Sequence, residues 1–396
     1  MASLPSIDDA LALVLAEVAP LAAEPVAVTA AAGRVLAADA HAVVDLPPFA
    51  SSAMDGYAVR AADTPGTLRL VGQSAAGAPS PRAVGAGEAV EISTGAVVPA
   101  GADAVVPVEQ TSAVPGQVEV RAAVVTGENI RPQGGDLKAG DLVVAAGAAL
   151  GPTQVGALAA AGAASVACAR RPRVAVLATG SELRAPGGPL GPGQIYESNT
   201  TLLAAQLASA GAEPVVLPPV ADDEAATRAA LEGALGHDAL VTSGGVSVGP
   251  HDLVRGLLAE LGVREVLWRV AVKPGKPVSF GVAASTLVFG LPGNPVSSLV
   301  GFELFVRPAL RALQGDRDPG PRYLPGVLGA AVRRDPARDQ LVRARRRLGG
   351  DAVVLEPLGG QESHMIGRAA GADALVLVRR GDGELAAGSP VRYLPV

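Results

Sequence analysis

The chain has 396 residues, enough for two to four domains; 49% of them are hydrophobic and the formal net charge is −6. That balance describes a soluble, mildly acidic protein and excludes one made to coat nucleic acid. Cys168 is the only cysteine, so neither an internal disulfide nor a cysteine-based zinc site can form, which fits a reducing cytoplasm.

The opening residues Met1–Asp9 lack a basic region followed by an apolar core, so no secretory signal is expected. Ser6 with Asp9 three residues later predicts a capped helix carrying Ile7, Leu11, Val14, Leu15 and Val18 on one face. Leu46-Pro47-Pro48-Phe49 is a Pro-led turn and Asp55-Gly56 a second one. From Gly66 to Leu142, short Val-rich strands broken by Gly and Pro make a β module, with a hairpin predicted at Pro115-Gly116 between Val105–Glu109 and Gln117–Arg121. Leu142 to Ala169 carries no charge, yet it is mostly Ala and Gly, interrupted at Gly151-Pro152-Thr153-Gln154. It lacks the apolar run of about 20 residues that a membrane span needs. It predicts a helix from Pro152 to Ala161, stopped by Gly162, and a strand over Ser165–Ala169.

The stretch from Arg173 to Leu313 carries the chemistry. Apolar runs at Arg173–Ala178, Pro214–Leu217, Ala239–Thr242 and Thr286–Phe289 read as buried parallel strands, each followed by a turn and a helical pattern, which predicts an open, doubly wound α/β sheet. The turns after the third and fourth runs are Ser243-Gly244-Gly245-Val246-Ser247-Val248-Gly249 and Gly290-Leu291-Pro292-Gly293-Asn294-Pro295. Asn294 suits an N-cap and Pro295 a first helical position. Such turns gather at the carboxyl edge of the strands, where helix N-termini and bare backbone favour anions, so a phosphate or oxyanion site is expected. Glu182, Asp222 and Asp252 fall on the same rim, and a divalent cation bridging carboxylates to a phosphate is the ordinary reason for that crowding. Each piece alone has a plainer reading, a simple turn or, for Asp222 and Asp223, a helix cap. The conjunction with Lys273-Pro274-Gly275-Lys276-Pro277 outweighs it: only three of the 32 basic residues are lysines, and two stand here. Lysine offers a compact, rotatable point charge where arginine offers a planar fork.

Beyond the Pro-rich linker Asp318-Pro319-Gly320-Pro321, β patterns at Val332, Leu341–Arg343, Ala352–Leu355, Ala374–Val378 and Val391–Leu394 predict a small domain of four to five strands. Arg343, Arg345 and Arg347 alternate on one strand face, with Arg346 on the other; this reads as a solvated face, with a share of the anion site as the alternative, and the same holds for Ser363. The histidines at 41, 237, 251 and 364 are scattered and form no metal site or triad, and His251, beside Asp252, reads as a bystander. Trp268 and the few other aromatics read as core.

The runs Val174-Ala175-Val176-Leu177-Ala178-Thr179-Gly180-Ser181-Glu182-Leu183 and Gly193-Gln194-Ile195-Tyr196-Glu197-Ser198-Asn199 carry a resemblance, together with the Ser243 loop, Lys-Pro-Gly-Lys-Pro and Gly-Leu-Pro-Gly-Asn-Pro-Val-Ser. In order and spacing they resemble the molybdopterin molybdenumtransferase family, which includes the E domain of gephyrin. The segment Ser52-Ala53-Met54-Asp55-Gly56-Tyr57-Ala58 is similar to the family's other signature, although Ala50 and Ser51 stand where the family has an Asp or Asn and a polar residue. Glu91–Ala96 and Gly127–Asp136 match further segments.

The resemblance implies a discontinuous N-terminal domain (residues 1–48 and 138–170) with an inserted β module (49–137). It then implies a molybdopterin-binding α/β domain (171–314) and a C-terminal β domain (315–396). It implies a cytoplasmic transferase of molybdenum cofactor biosynthesis that inserts molybdate into adenylylated molybdopterin with magnesium and releases AMP. Asp55, Thr94, Asp136, Lys273 and Lys276 are then candidate catalytic residues, and Glu182, Asp222 and Asp252 candidate magnesium ligands. Ser243, Gly244, Gly245, Val246, Ser247, Gly249, Pro292, Asn294, Pro295 and Ser297 are candidates to bind substrate and phosphate. The resemblance further implies a homodimer in which Asp55 and Thr94 act in the partner's cleft, and a contact with the molybdopterin adenylyltransferase that makes the substrate. The alternatives are that adenylyltransferase activity itself, which the 52–58 signature and the full-length layout oppose, and a non-catalytic scaffold of the gephyrin type.

Overall fold

The computed structural model describes residues 4–245 and 253–396, and the chain divides into two compact units. One is formed by the N-terminal residues up to Glu24, by Gly33–Ala37 and by Cys168–Val396; the other by Pro25–Ala32 and Ala38–Ala167.

In the first unit a six-stranded sheet runs in the order Glu213–Val216, Arg173–Ala178, Ala239–Ser243, Thr286–Leu291, Ser279–Ala283, Arg264–Trp268. The first four strands are parallel, and the last two add on antiparallel. The strands Arg173–Ala178, Ala239–Ser243 and Thr286–Leu291 are almost wholly apolar because both faces are covered, whereas the edge strand Glu213–Val216 is largely exposed. Val174 and Val176 join one core cluster with Leu203 and Leu207 of the helix Asn199–Ser209, whereas Ala175 and Leu177 join another with Leu231 and Leu257. Burying each such leucine contributes roughly 1.5–3 kcal/mol.

The N-terminal helix Ile7–Ala16 starts as predicted. Ser6 Oγ accepts from the Asp9 backbone N–H at 3.1 Å and the Asp9 carboxylate accepts from the Ser6 N–H at 3.3 Å. Its buried Ile7, Ala10 and Val14 belong to the first core cluster of this unit, while the helix Pro152–Ala160 falls in the other unit.

The C-terminal strands close on themselves. Asp339–Gly349 pairs with Ala352–Pro357 on one side and with Ala374–Val378 on the other, and Leu324–Leu328 and Pro390–Pro395 complete a five-strand barrel. Val272–Lys273 extends the wall by pairing with the start of Asp339–Gly349.

The second unit holds a six-stranded sheet in the order Ala104–Pro107, Gly56–Val59, Glu88–Ile92, Gly66–Ser74, Gln117–Val120, Thr111–Val114. The hairpin turns at Pro115-Gly116 as predicted, but its first strand is Thr111–Val114, with Val114 opposite Gln117. A short 3-10 turn over Val108–Gln110 breaks the chain, and Ala104–Pro107 pairs with Gly56–Val59 instead. At Gly56 a Cβ would sit 1.9 Å from the Val106 carbonyl oxygen, so only glycine lets those strands meet. No helix among the described residues is long and apolar enough to cross a membrane.

Asp238 precedes the third parallel strand and accepts from both terminal nitrogens of Arg170, at 2.6 Å each, and from the Arg173 N–H at 2.8 Å. Burial opposes its charge, yet the Arg170 fork and the Arg173 N–H outweigh it and hold the carboxyl below its ordinary range. A depressed folded-state pKa stabilises fully above the unfolded value, near pH 4, and that contribution is lost as pH falls through the folded value. Asp238→Asn should therefore melt below the wild type at pH 7, with the gap shrinking below about pH 4; a gap unchanged between neutral and acid would refute the pairing's role.

Candidate active site

The pairing register sets three parallel strands level at their carboxyl ends: Ala178 opposes Ser243, and Ser243 opposes Leu291. The chain reverses direction between the strands Arg173–Ala178 and Ala239–Ser243, and crevices for ligands form at such switch points. The turns there are braced by backbone bonds from Thr179 N–H to the Ser243 carbonyl at 3.2 Å and from Gly244 N–H to the Leu291 carbonyl at 3.1 Å. Gly244 has φ +92°, and a Cβ on it would lie 2.8 Å from the Thr179 carbonyl oxygen. At Gly245, φ +67°, a Cβ would lie 2.4 Å from Val254 Cγ2. No other residue fits either place, so the turn presents bare backbone.

These turns open on a cleft of about 270 Å³. It brings together four predicted residues, Glu182, Ser243, Asn294 and Pro295, with Thr179, Glu197, Asn199, His364 and Ile366, which sequence reasoning did not single out. Glu197 is 5% exposed and its carboxylate accepts from the Thr200 N–H at 2.9 Å and from the Thr200 hydroxyl, which seats the helix Asn199–Ser209. A Glu three residues before a Thr at a helix start was the available signal.

Asn294 occupies the N-cap position before Pro295, as predicted, but its side chain does not cap the helix. Nδ2 donates instead to Ser363 Oγ at 2.9 Å. Pro292 is buried, and its carbonyl accepts from Ser298 Oγ at 2.5 Å. Ser297 is 4% exposed, with its carbonyl oxygen beside Gly275.

Of the candidate carboxylates, Glu182 lines the cleft and Asp222 is held to Ser181, which precedes Glu182 in the chain. Asp223, not Asp222, caps the helix Glu224–Ala234 by accepting from the Ala226 N–H at 2.7 Å. Asp222 is exposed and clasps Ser181: Oδ2 accepts from the Ser181 N–H at 3.2 Å, and the Asp222 N–H donates to Ser181 Oγ at 3.0 Å. Glu182, next in the chain, is exposed. Asp252, Val246, Ser247 and Gly249 lie outside the described residues, and among the described residues no group of three or more His, Cys, Asp or Glu could hold a metal. The lysines stand apart from this cleft. Lys273 lines a second one, of about 600 Å³, with Arg333 and Arg334, and its Nζ lies 3.8 Å from Asp335 Oδ2. Lys276 is exposed, and its carbonyl accepts from the Val270 N–H at 3.0 Å.

In the other unit, Asp55 and Thr94 meet: Asp55 Oδ1 accepts from the Thr94 N–H at 2.7 Å. Their loops are tied to each other and to a third, since Ser52 N–H donates to the Ala96 carbonyl at 3.0 Å and Ala53 N–H to the Asn129 carbonyl at 2.8 Å. Asp136 is exposed, and its N–H donates to the Leu46 carbonyl at 2.9 Å.

The expectation of a solvated arginine face fails at Arg343, which is 1% exposed. Its guanidinium donates to the carbonyls of Met365 at 2.8 Å, Gly360 at 2.7 Å and Glu362 at 3.1 Å, and so fixes the segment that carries Ser363 and His364 to the cleft. Burial pulls its pKa below the usual guanidinium value, and the neighbouring Glu362 partly offsets this. Arg346 and Arg347 remain on the surface, paired with Asp373 and Glu356.

A doubly wound α/β domain with a cleft at its switch point, joined to a closed barrel and accompanied by a separate β module, defines a multidomain α/β class of protein. Family models match accordingly: the MoeA N-terminal region (domain I and II) over residues 5–162, the probable molybdopterin binding domain over 175–312, and the MoeA C-terminal region (domain IV) over 325–396. The chain is 39% identical over 385 residues to molybdopterin molybdenumtransferase 2 of Mycobacterium tuberculosis, covering 93% of both chains. It is 34% identical over 371 residues to the molybdopterin molybdenumtransferase of Haemophilus influenzae, covering 92% of both. A crystal structure of the molybdopterin biosynthesis MoeA protein from Pyrococcus horikoshii superposes with a TM-score of 0.82 at 32% identity, over 100% of this chain and 99% of that one. The chain belongs to the MoeA family of molybdopterin molybdenumtransferases.

Replacing Arg343 tests the anchoring. Arg343→Leu removes three donated bonds and leaves the Gly360 carbonyl without a donor among the described residues, whereas the Glu362 and Met365 carbonyls still accept from the Met365 and Ala369 N–H groups; the orphaned carbonyl costs about 1–3 kcal/mol if it stays dry. Denaturant melts should show a loss of at least about 1 kcal/mol, with faster amide exchange over residues 358–366. Unchanged exchange there would remove Arg343 from this role.

Proposed function

We propose that this chain inserts molybdate into adenylylated molybdopterin and releases AMP, with magnesium, as a cytoplasmic step of molybdenum cofactor biosynthesis. The observation that carries the reading is the turn at Gly244 and Gly245, whose backbone is pressed against Thr179 at the level ends of the parallel strands, with Glu182 lining the adjoining cleft. Full-length similarity to named molybdenumtransferases supports it. Cleaving a diphosphate linkage demands positioning and charge neutralisation more than covalent catalysis, which suits a site made of backbone and point charges.

In this reading the backbone of the Ser243 turn receives the phosphates. Lys273, Lys276 and Ser297 take molybdate or the pterin phosphate from the side of the barrel. Magnesium fits the donor set in kind, because the Glu182 and Asp222 side chains offer only oxygen, and among the described residues neither Glu182 carboxylate oxygen nor Asp222 Oδ1 accepts a hydrogen bond. Magnesium, when bound, would neutralise phosphate charge. The metal that becomes product belongs to the substrate's dithiolene sulfurs, so the protein needs no thiolate, and burial pushes the Cys168 thiol up from its ordinary value.

Purified protein supplied with adenylylated molybdopterin, magnesium and molybdate should release AMP in a molybdate-dependent way and leave metal on the pterin. Glu182→Gln and Asp222→Asn should each lose about 2–4 kcal/mol of transition-state stabilisation, roughly 30- to 1,000-fold in rate. An intact adenylate after incubation with the wild type would sink the reading.

The working form in this proposal is a homodimer in which Asp55 and Thr94 serve the partner's cleft. Asp55 and Thr94 are held against each other, so both would act at one place. Mixed dimers of an Asp55→Ala chain and a Glu182→Ala chain should recover part of the activity that either homodimer lacks; complete inactivity of the hybrid would count against action in trans.

A further inference from the structure

Asn199, the first residue of the helix Asn199–Ser209, lines the cleft beside Ser243. Its Nδ2 lies 2.7 Å from Ser243 Oγ and 2.7 Å from the Gly293 carbonyl oxygen. The second contact fixes the chemistry of the first. A backbone carbonyl only accepts, so the atom facing it must carry hydrogens, and the amide cannot be turned over. Ser243 Oγ is therefore an acceptor in this bond, because an amide nitrogen offers no lone pair. Its own proton points elsewhere, and among the described residues Ser243 Oγ donates to nothing.

The cost of this orientation is visible on the other side of the amide. Asn199 Oδ1 is buried without a hydrogen-bond partner, whereas buried polar atoms are nearly always paired. The side chain thus keeps both donor contacts at the expense of its acceptor. Ser243 itself is only 2% exposed, at the level end of its strand, so its hydroxyl is held in one place.

We infer that Asn199 is a positioning residue that makes the Ser243 hydroxyl a fixed donor for a negatively charged phosphoryl oxygen, while tying the Gly244 turn to the Gly293 turn. This rests on reading the cleft as the site of the adenylate. A hydroxyl already satisfied as an acceptor meets an anion without having to reorient, which is how preorganised donors act.

The test uses AMP as probe in titration calorimetry on the full chain, with melting temperatures measured alongside. Ser243→Ala should weaken AMP about 10- to 100-fold, the worth of a hydrogen bond to a charged group. Asn199→Ala should weaken AMP in the wild-type background and cause no further loss in the Ser243→Ala background, since it acts through that hydroxyl. The same factor in both backgrounds would make Asn199 a structural brace only and overturn the inference. If Asn199→Ala does not fold, Ser243→Ala alone decides: AMP bound as tightly as by the wild type overturns it, and weaker binding at an unchanged melting temperature supports it. Failure of the wild type to bind AMP would instead bring down the adenylate reading and this inference with it.

Discussion

The active half of this molecule depends on one close approach, that of the Gly244 backbone to the Thr179 carbonyl. The register that levels Ala178, Ser243 and Leu291 places three turns side by side, and the contact is possible only because the residue that makes it, Gly244, carries no side chain. A cleft lined by Thr179, Asn199, Ser243 and Asn294 lies at the ends of those strands. Donors held in place by a sheet and its turns need little reorganisation to meet charge. Carboxylates on the same rim are then tolerable only beside water or a cation, which is where Glu182 and Asp222 stand.

The barrel contributes to the same cleft through a loop. Arg343, sealed in the wall, holds the carbonyls of Gly360, Glu362 and Met365, and the loop so fixed meets Asn294 through Ser363. A guanidinium suits this place better than an ammonium because its planar fork reaches several carbonyls at once. Position within the fold thus gives adjacent arginines opposite fates: Arg343 is a buried fastener, and Arg347 a surface partner for Glu356.

Local chemistry made much of this legible. The capping pair Ser6 and Asp9, the apolar runs, the Gly-Gly turn and Pro295 at a helix start each act over a few residues, and the structure has them where the pattern puts them. What escaped depends on distant partners. Asn199 meets Gly293 across 94 positions, and nothing in Glu-Ser-Asn announces that. Period-two alternation put Arg343 on one face with Arg345, but could not say that the face turns inward at Arg343. The strand opposite Gln117–Val120 was misjudged because a 3-10 turn over Val108–Gln110 has no distinctive residue to mark it. Nor does Lys-Pro-Gly-Lys-Pro announce that Val272–Lys273 pairs with the barrel and that Lys273 lines a cleft there.

That pairing also bears on modularity. The Pro-rich stretch near Asp318 looks like a seam along which a C-terminal module could be cut away. Yet Val272–Lys273 is already a strand of the barrel sheet, the Asp339 N–H donates to the Ala271 carbonyl at 2.9 Å, and Leu341, Leu375, Leu377 and Leu394 share a core cluster with Val174 and Phe289. Severing the covalent link would leave the interlocked parts in place, and transplanting the barrel onto another protein would strip an edge and open a core. Recombination in this lineage would more easily exchange the two pieces together than either one alone.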